Sequence, residues 1–204
     1  MILGIYGGVG SGKSLVLDYL RSEYGAVVIG MDETAHDLYE PGKAGWNAAV
    51  TLLGKTIIRA DGTLDRTEMA QILYGNKVLL ERLDMVIHPL VFDRVEELVN
   101  EETEKALSEG REPFVVVETA LPTRERSDIY SEIWYVYTPK EVRIRRLRES
   151  RGYTEERAES IMAKQLPEEE YRKLATHVLN NGGTPAELFG QIDALLSGKV
   201  GKKQ

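Results

Sequence analysis

Residues 1–20 read MILGIYGGVGSGKSLVLDYL: a short apolar run, a burst of glycines, then a stretch with helical periodicity. Gly7-x-x-x-x-Gly12-Lys13-Ser14 is the spacing in which a strand passes through a loop into a helix, its backbone N–H groups curling around phosphate with no side chain in the way. Lys13 is placed to reach β- and γ-phosphates, Ser14 to hold Mg²⁺, and the start of the following helix to add its positive end. The motif also has the context its mechanism requires. It follows a strand-like run at 2–6 and opens a helical pattern at 13–23, with Leu15, Val16, Tyr19 and Leu20 at helical spacing. Phosphate is therefore the expected ligand. Hydrolysis, phosphoryl transfer and nucleotide sensing all remain compatible with it.

Working outward, strand-like runs rich in β-branched or aromatic residues recur at 26–29, 114–117, 133–137 and 177–179. Helical patterns lie between them, and the last, 185–196, carries Leu188, Ile192 and Leu195 behind a Thr184 cap. This alternation predicts an α/β fold of three layers around a central parallel sheet, with ligands at the strands' C-terminal ends. Two regions interrupt it. Residues 33–110 contain no strand of length and read as a helical insertion, within which His88-Pro89 should kink or divide a helix over 76–108. Residues 139–175 are helical and basic, with Lys140, Arg143, Arg145, Arg146, Arg148 and Arg151 set against Glu141 and Glu149, and read as a mobile lid. The expected organisation is a nucleotide-binding core (1–32, 111–138, 176–198), the insertion (33–110), the lid (139–175) and a disordered tail (199–204).

The 204 residues suffice for one globular domain carrying small subdomains. With 26 Lys+Arg against 33 Asp+Glu, the formal net charge of −7 argues against nonspecific attraction to nucleic acid or an anionic membrane surface. The absence of cysteine excludes disulfides, thiolate metal sites and cysteine catalysis. Met1-Ile2-Leu3 leads straight into the first strand without a basic leader, long apolar segment or cleavage site, which predicts a cytoplasmic protein. Nothing in the pattern sets an oligomeric state.

Asp32 follows the second strand, where the sheet's C-terminal edge should bring it toward the phosphate loop. A carboxylate there can accept the proton of an attacking hydroxyl or orient that hydroxyl in line with the γ-phosphate. It can equally cap the helix that Glu33-Thr34-Ala35 begin.

Taken in order, these motifs resemble the dephospho-coenzyme A kinase family. The elements that carry the resemblance are Gly7 to Ser14, Asp32, Glu40-Pro41-Gly42, Asp61-Gly62-Thr63-Leu64-Asp65-Arg66, His88-Pro89, Gln165, and Asn181 followed by Gly182-Gly183. They span nearly the whole chain, and the DGTLDR and HP elements are far more specific than the phosphate loop alone. The resemblance implies a P-loop kinase fold with a helical substrate-binding insertion and a helical lid. It also implies Mg²⁺-dependent transfer of the γ-phosphate of ATP to the ribose 3′-hydroxyl of dephospho-CoA, giving coenzyme A and ADP. Gly8, Val9, Gly10, Ser11, Gly12, Lys13, Ser14 and Leu15 would hold ATP, with Ser14 on the metal.

Asp32 matches the second Asp of the family's DxD motif, the base or orienter of the 3′-hydroxyl, while Gly30 replaces the first. Arg66 and His88 match positions on the acceptor side; alternatively Arg66 pairs with a nearby acid and His88 caps a helical break. Arg146 and Arg151 match the lid arginines that close over the triphosphate, with Arg148 a rival for either place and an ion-paired, solvated helix face the plainer reading of the run. Asn181 matches a position near the adenine, or forms an ordinary Asn-Gly turn. Lys13, Asp32 and Arg146 thus form the expected catalytic set.

The main departure is Val117-Glu118-Thr119-Ala120-Leu121-Pro122, where the family has a VPLLFE-like stretch. Glu118 is positioned to hold a Mg²⁺-bound water or the acceptor hydroxyl, or to pair with Arg124 or Arg126. This segment keeps open a P-loop kinase acting on a nucleoside, nucleotide or sugar. The lost first Asp keeps open a protein that senses ATP without transferring phosphate.

Overall fold

The structure, a computed structural model, describes residues 1–119 and 127–203. It contains two compact units, Met1–Ile29 with Val99–Gln204, and Gly30–Leu98. In chain order the first elements are β1 (Ile2–Tyr6), α1 (Lys13–Tyr24), β2 (Val27–Gly30), α2 (Met31–Leu38), α3 (Ala44–Leu53), α4 (Arg66–Leu73) and α5 (Lys77–Ser108). They are followed by β3 (Val115–Thr119), β4 (Glu132–Tyr137), α6 (Lys140–Arg151), α7 (Glu155–Met162), α8 (Glu168–Leu174), β5 (His177–Asn180) and α9 (Pro185–Leu196). Every strand-like run in the sequence forms a strand, displaced by no more than two residues at either end.

The strands form one sheet in the order β2-β3-β1-β4-β5. β1 pairs in parallel with β3 and β4, and β4 with β5. β1 is therefore central, and the chain leaves it toward strands on both sides, the switch point beyond whose carboxyl end α/β sheets bind ligands. Leu3, Ile5, Val116, Trp134 and Val136 pack with Val16 and Leu20 of α1 and Leu188, Ile192 and Leu196 of α9. On the opposite face Tyr6, Ile133 and Tyr135 meet Tyr171 of α8, whose ring stacks on that of Tyr135 at 5.0 Å. Burial on both faces is why β1, β3 and β4 read as nearly continuous apolar runs. It also pushes the Tyr6 hydroxyl up to about 12, a shift that its hydrogen bond with Tyr130 only partly offsets.

The C-terminal segment departs from expectation. Residues 199–203, read from the sequence as disordered, are tied to the core: Lys199 pairs with Glu132, Lys202 Nζ with Asp193 at 2.9 Å, and the Lys203 N–H donates to the Glu23 carbonyl at 2.7 Å. Asp193 also accepts from the hydroxyls of Tyr19 (2.8 Å) and Tyr24 (2.7 Å). Burial raises its pKa, but the hydrogen bonds from Tyr24, Lys202 and Tyr19 together outweigh burial and leave it lowered. A lowered folded-state value contributes stability above the ordinary Asp value of about 3.9 and loses it as pH falls through the folded value. Asp193→Asn should therefore lower Tm at pH 7 and flatten its decline below about pH 4; parallel Tm–pH curves for variant and parent would refute this.

In the second unit the DGTLDR stretch is a compact turn. The Asp61 carboxylate accepts from the Thr63 N–H (3.0 Å) and hydroxyl (2.6 Å), and Gly62 takes a left-handed φ of 85°. Ile58 and Leu64 form an antiparallel bridge, and Trp46 Nε1 donates to the Gly62 carbonyl at 2.9 Å. Asp65 then caps α4, accepting from the N–H groups of Thr67 and Glu68. The motif's two acids thus shape the turn and cap that set where α4 begins, at Arg66.

The His88-Pro89 pair does not divide its helix: α5 runs unbroken from Lys77 to Ser108 with Pro89 inside it. An interior proline costs about 3 kcal/mol through a lost hydrogen bond and a steric clash. Leu83, Ile87, Val91 and Val95, spaced by four, are buried on both sides of it while Pro89 itself is exposed, and burying such side chains stabilises by about 1.5–3 kcal/mol each. Packing outweighs the local penalty. No described helix is long and apolar enough to cross a membrane.

Candidate active site

Beyond the C-terminal end of β1 the chain turns at Gly10 (φ 73°) and Gly12 (φ 83°), conformations that side chains other than glycine rarely adopt, and enters α1. A Cβ on Gly12 would run into the Asn181 amide nitrogen, so that position also demands close approach. Among the described residues, the N–H groups of Gly10, Gly12, Lys13 and Ser14 make no hydrogen bond, and the buried Ser11 Oγ and Arg146 Nη1 are likewise unpartnered. Buried side-chain atoms such as Ser11 Oγ and Arg146 Nη1 are costly to leave unsatisfied unless a ligand takes them, and the open N–H groups lie beside them. Here they surround one loop at a helix N-terminus, which suits a polyphosphate. The Ser14 side chain is exposed at the head of α1, and Leu15 lies in its first turn.

Lys13 Nζ donates to the Gly7 carbonyl at 2.6 Å and lies 3.2 Å from Glu118 Oε1. Parallel register sets Glu118 beside Ile5, one residue before β3 ends, and both side chains of the pair are less than one-fifth exposed. The partner of Glu118 is therefore the loop lysine; Arg124 and Arg126 lie outside the described residues. In the family's proline place stands a carboxylate that pairs with the loop lysine.

The helical segment 139–175 meets the loop through α6. Arg143 Nε donates to the Val9 carbonyl at 2.8 Å and its Nη2 to Gln165 Oε1 at 2.6 Å. The same Gln165 oxygen accepts the Val9 N–H at 3.3 Å. Burial lowers the Arg143 pKa, the nearby tyrosines and Glu168 acting against that shift. Arg146 Nη2 donates to the Asn181 carbonyl at 2.9 Å, which leaves Nη1 as the unpartnered buried donor. Arg151 and Arg148 are exposed and make no side-chain hydrogen bond or ion pair among the described residues. Of the arginines picked out from the sequence, the structure brings Arg146 to the loop and not Arg151. It adds Arg143, for which the sequence offered a signal: positions 143 and 146 are about 60° apart around a helix, whereas 146 and 151 are about 140° apart and cannot share a face.

Asn181 is buried and is not a free turn residue. Its Nδ2 donates to the Ser11 carbonyl at 2.8 Å and its N–H to the Tyr137 carbonyl at 2.8 Å, while Thr138 Oγ1 donates to the same Ser11 carbonyl at 2.8 Å. β5 and the end of β4 thus brace the loop from beneath.

In the second unit Asp32 is the second residue of α2, whose N-cap is Gly30; it does not cap the helix, and its exposed carboxylate lines a cavity of about 370 Å³. Arg66 lines the same cavity and donates from Nη2 to His36 Nδ1 at 2.7 Å, so its partner is an imidazole and not an acid. A guanidinium has no acceptor, which fixes the His36 hydrogen on Nε2. Tyr39 completes the polar rim, its pKa raised by burial and by Asp84 and lowered by Arg66, and Leu64 and Met69 give the cavity an apolar floor. His36 escaped sequence reading because its partner lies 30 residues away. His88 neither caps a break nor lines the cavity: it is exposed in α5, without a side-chain hydrogen bond or ion pair among the described residues.

A parallel sheet with a phosphate loop beyond its central strand, under a helix that presents guanidinium groups to that loop, defines the class of P-loop phosphotransferases. The chain belongs, within that class, to the dephospho-CoA kinase family, whose sequence model matches residues 1–187. Proteins named dephospho-CoA kinase from Carboxydothermus hydrogenoformans and Geobacter sulfurreducens are each 32% identical to it. The first aligns over 96% of this chain and 92% of its own length, the second over 95% and 96%. A Thermus thermophilus protein of known crystal structure superposes with a TM-score of 0.76 at 31% identity, covering 98% of both chains. The Campylobacter jejuni dephospho-CoA kinase, at 20% identity and a TM-score of 0.68, shares the fold over 97% of this chain and 98% of its own.

Proposed function

We propose that this protein transfers the γ-phosphate of ATP to the ribose 3′-hydroxyl of dephospho-CoA, giving coenzyme A and ADP. The observation that carries the proposal is the family match over residues 1–187, and the unsatisfied donors around the loop support it from the side of chemistry. In this reading Gly8 to Leu15 hold ATP through backbone N–H groups, and Lys13 exchanges Glu118 and Gly7 for the β- and γ-phosphates. Arg146 turns its free Nη1 on the triphosphate, and Asn181 keeps the loop in shape beneath the nucleotide.

Mg²⁺ keeps most of its shell as water and phosphate oxygen and needs only one or two protein ligands. That suits the exposed Ser14 hydroxyl at the head of α1. When bound, the ion would neutralise charge on the phosphate oxygens.

Residues 33–110 serve as the acceptor-binding insertion and 139–175 as the lid. Arg66, held by His36, offers a cation to the acceptor's phosphates above the apolar floor of the cavity, and Asp32 aligns the 3′-hydroxyl and takes its proton. Glu118 steers Lys13 and not the acceptor. Most of the rate comes from positioning and charge stabilisation, with closure of the lid excluding the water that would otherwise be phosphorylated. A cytoplasmic location belongs to this reading, and small-molecule substrates, without nucleic acid or membrane, fit the net charge of −7.

The test is an ADP-release assay with Mg²⁺-ATP and, in separate reactions, dephospho-CoA, adenosine, AMP and gluconate. Turnover should be fastest on dephospho-CoA; faster turnover on any of the others would overturn the assignment of acceptor.

A further inference from the structure

Gln165 lies between α7 and α8, and its side-chain oxygen does what a phosphate oxygen does in such a loop: it accepts a backbone N–H, that of Val9, and a guanidinium N–H, that of Arg143, at 3.3 and 2.6 Å. It also sits directly against Gly8, where any Cβ would collide with it and with the Arg143 guanidinium. We infer that Gln165 Oε1 is a built-in stand-in for an oxygen of the terminal phosphate, occupying that subsite until a nucleoside triphosphate displaces it. The inference rests on the reading of this loop as a nucleotide site.

The subsite is that of the outermost phosphate for a geometric reason. The unbonded N–H groups of Gly12, Lys13 and Ser14 at the head of α1 take the inner phosphates, whereas Gly8 and Val9 stand on the strand side of the loop. Lys13 Nζ, the group that reaches β- and γ-phosphates, is held on that same side by the Gly7 carbonyl. A neutral amide is a suitable occupant: its oxygen satisfies Val9 and keeps Arg143 folded over the loop, yet it carries no charge and yields to a phosphate, whose hydrogen bonds with the same donors are about twice as strong. Gln165 is thus a positioning residue that prepares Arg143 and leaves when substrate arrives.

Displacement predicts opposite signs for two substitutions at one position. Gln165→Leu removes the competitor, so the β,γ-imido analogue of ATP should bind about 3- to 10-fold tighter, the range that one hydrogen bond supports. Gln165→Glu places a charged competitor against Arg143, so the same analogue should bind at least about 10-fold more weakly. ADP, which lacks the terminal phosphate, should change by less than about twofold in both variants.

The measurement is calorimetric titration of the full chain with each nucleotide and Mg²⁺, after circular dichroism shows that both variants are folded. Opposite shifts confined to the triphosphate analogue support displacement. Equal changes for the two nucleotides, no change, weaker analogue binding by Gln165→Leu, or an unfolded Gln165→Leu would mark Gln165 as a structural strut and overturn it. Failure of the parent protein to bind either nucleotide would instead refute the nucleotide site itself, and the inference with it.

Discussion

Asp32→Asn is expected to lower turnover on dephospho-CoA by about 10²- to 10⁴-fold, the range assigned to a general base, while leaving ATP affinity within about twofold. The amide keeps the size and one acceptor oxygen of the carboxylate but cannot take the hydroxyl's proton. Because Asp32 is exposed and caps nothing, its replacement removes no packing, and the change in stability should stay within about 0.5–1 kcal/mol, most of it the lost favourable charge in the first turn of α2. Single-turnover phosphoryl transfer and ATP titration on the same preparation separate the two effects. Unchanged transfer would remove Asp32 from the mechanism, and loss of both transfer and ATP binding would show that it acts on the nucleotide and not on the acceptor.

Lys13→Met should cost about 10²- to 10³-fold in kcat/KM for ATP, the usual effect of deleting one donor aimed at developing charge. It should also destabilise the fold, which distinguishes it from Asp32→Asn. Glu118 is largely shielded from water and loses its cation, and an uncompensated buried charge costs about 3 kcal/mol or more. Adding Glu118→Gln to Lys13→Met should recover most of the lost Tm without recovering activity, because the neutral amide tolerates burial but nothing replaces the ammonium at the phosphates. If the double variant is no more stable than the single one, the ion pair is not what holds β3 and the loop in register. If it regains activity, Lys13 is not a phosphate ligand.

Glu118 and Lys13 also show how the reading of a sequence and the folded chain divide the work. The loop lysine was identifiable because Gly12, Lys13 and Ser14 are consecutive and one local conformation gives all three their roles. Its partner comes from a strand more than a hundred residues later and is set by the register of Ile5 against Glu118, which no local pattern contains. His36 and Arg66 repeat the lesson in the second unit: the Asp61 turn and Asp65 cap that fix Arg66 are contiguous and legible, but the imidazole that takes its guanidinium is not. Of the kink or division expected at His88-Pro89, division does not occur, for the complementary reason: a local penalty is outweighed by four buried side chains spaced along α5. Arg143 was within reach of helical periodicity, since it shares a face with Arg146 as Arg151 does not.

The sequence by itself determined the alternation of strand and helix, the phosphate loop and the family, because each is written in residues adjacent along the chain or repeated at a fixed period. Only the tertiary structure decided which donors stay unsatisfied, that Arg143 and Gln165 cover the loop, and that the terminal lysines are tied to the core. Those outcomes depend on groups separated by up to 183 positions meeting within hydrogen-bond distance, as Lys202 and Tyr19 do, and it is the shared burial of the sheet's two faces that brings such groups together.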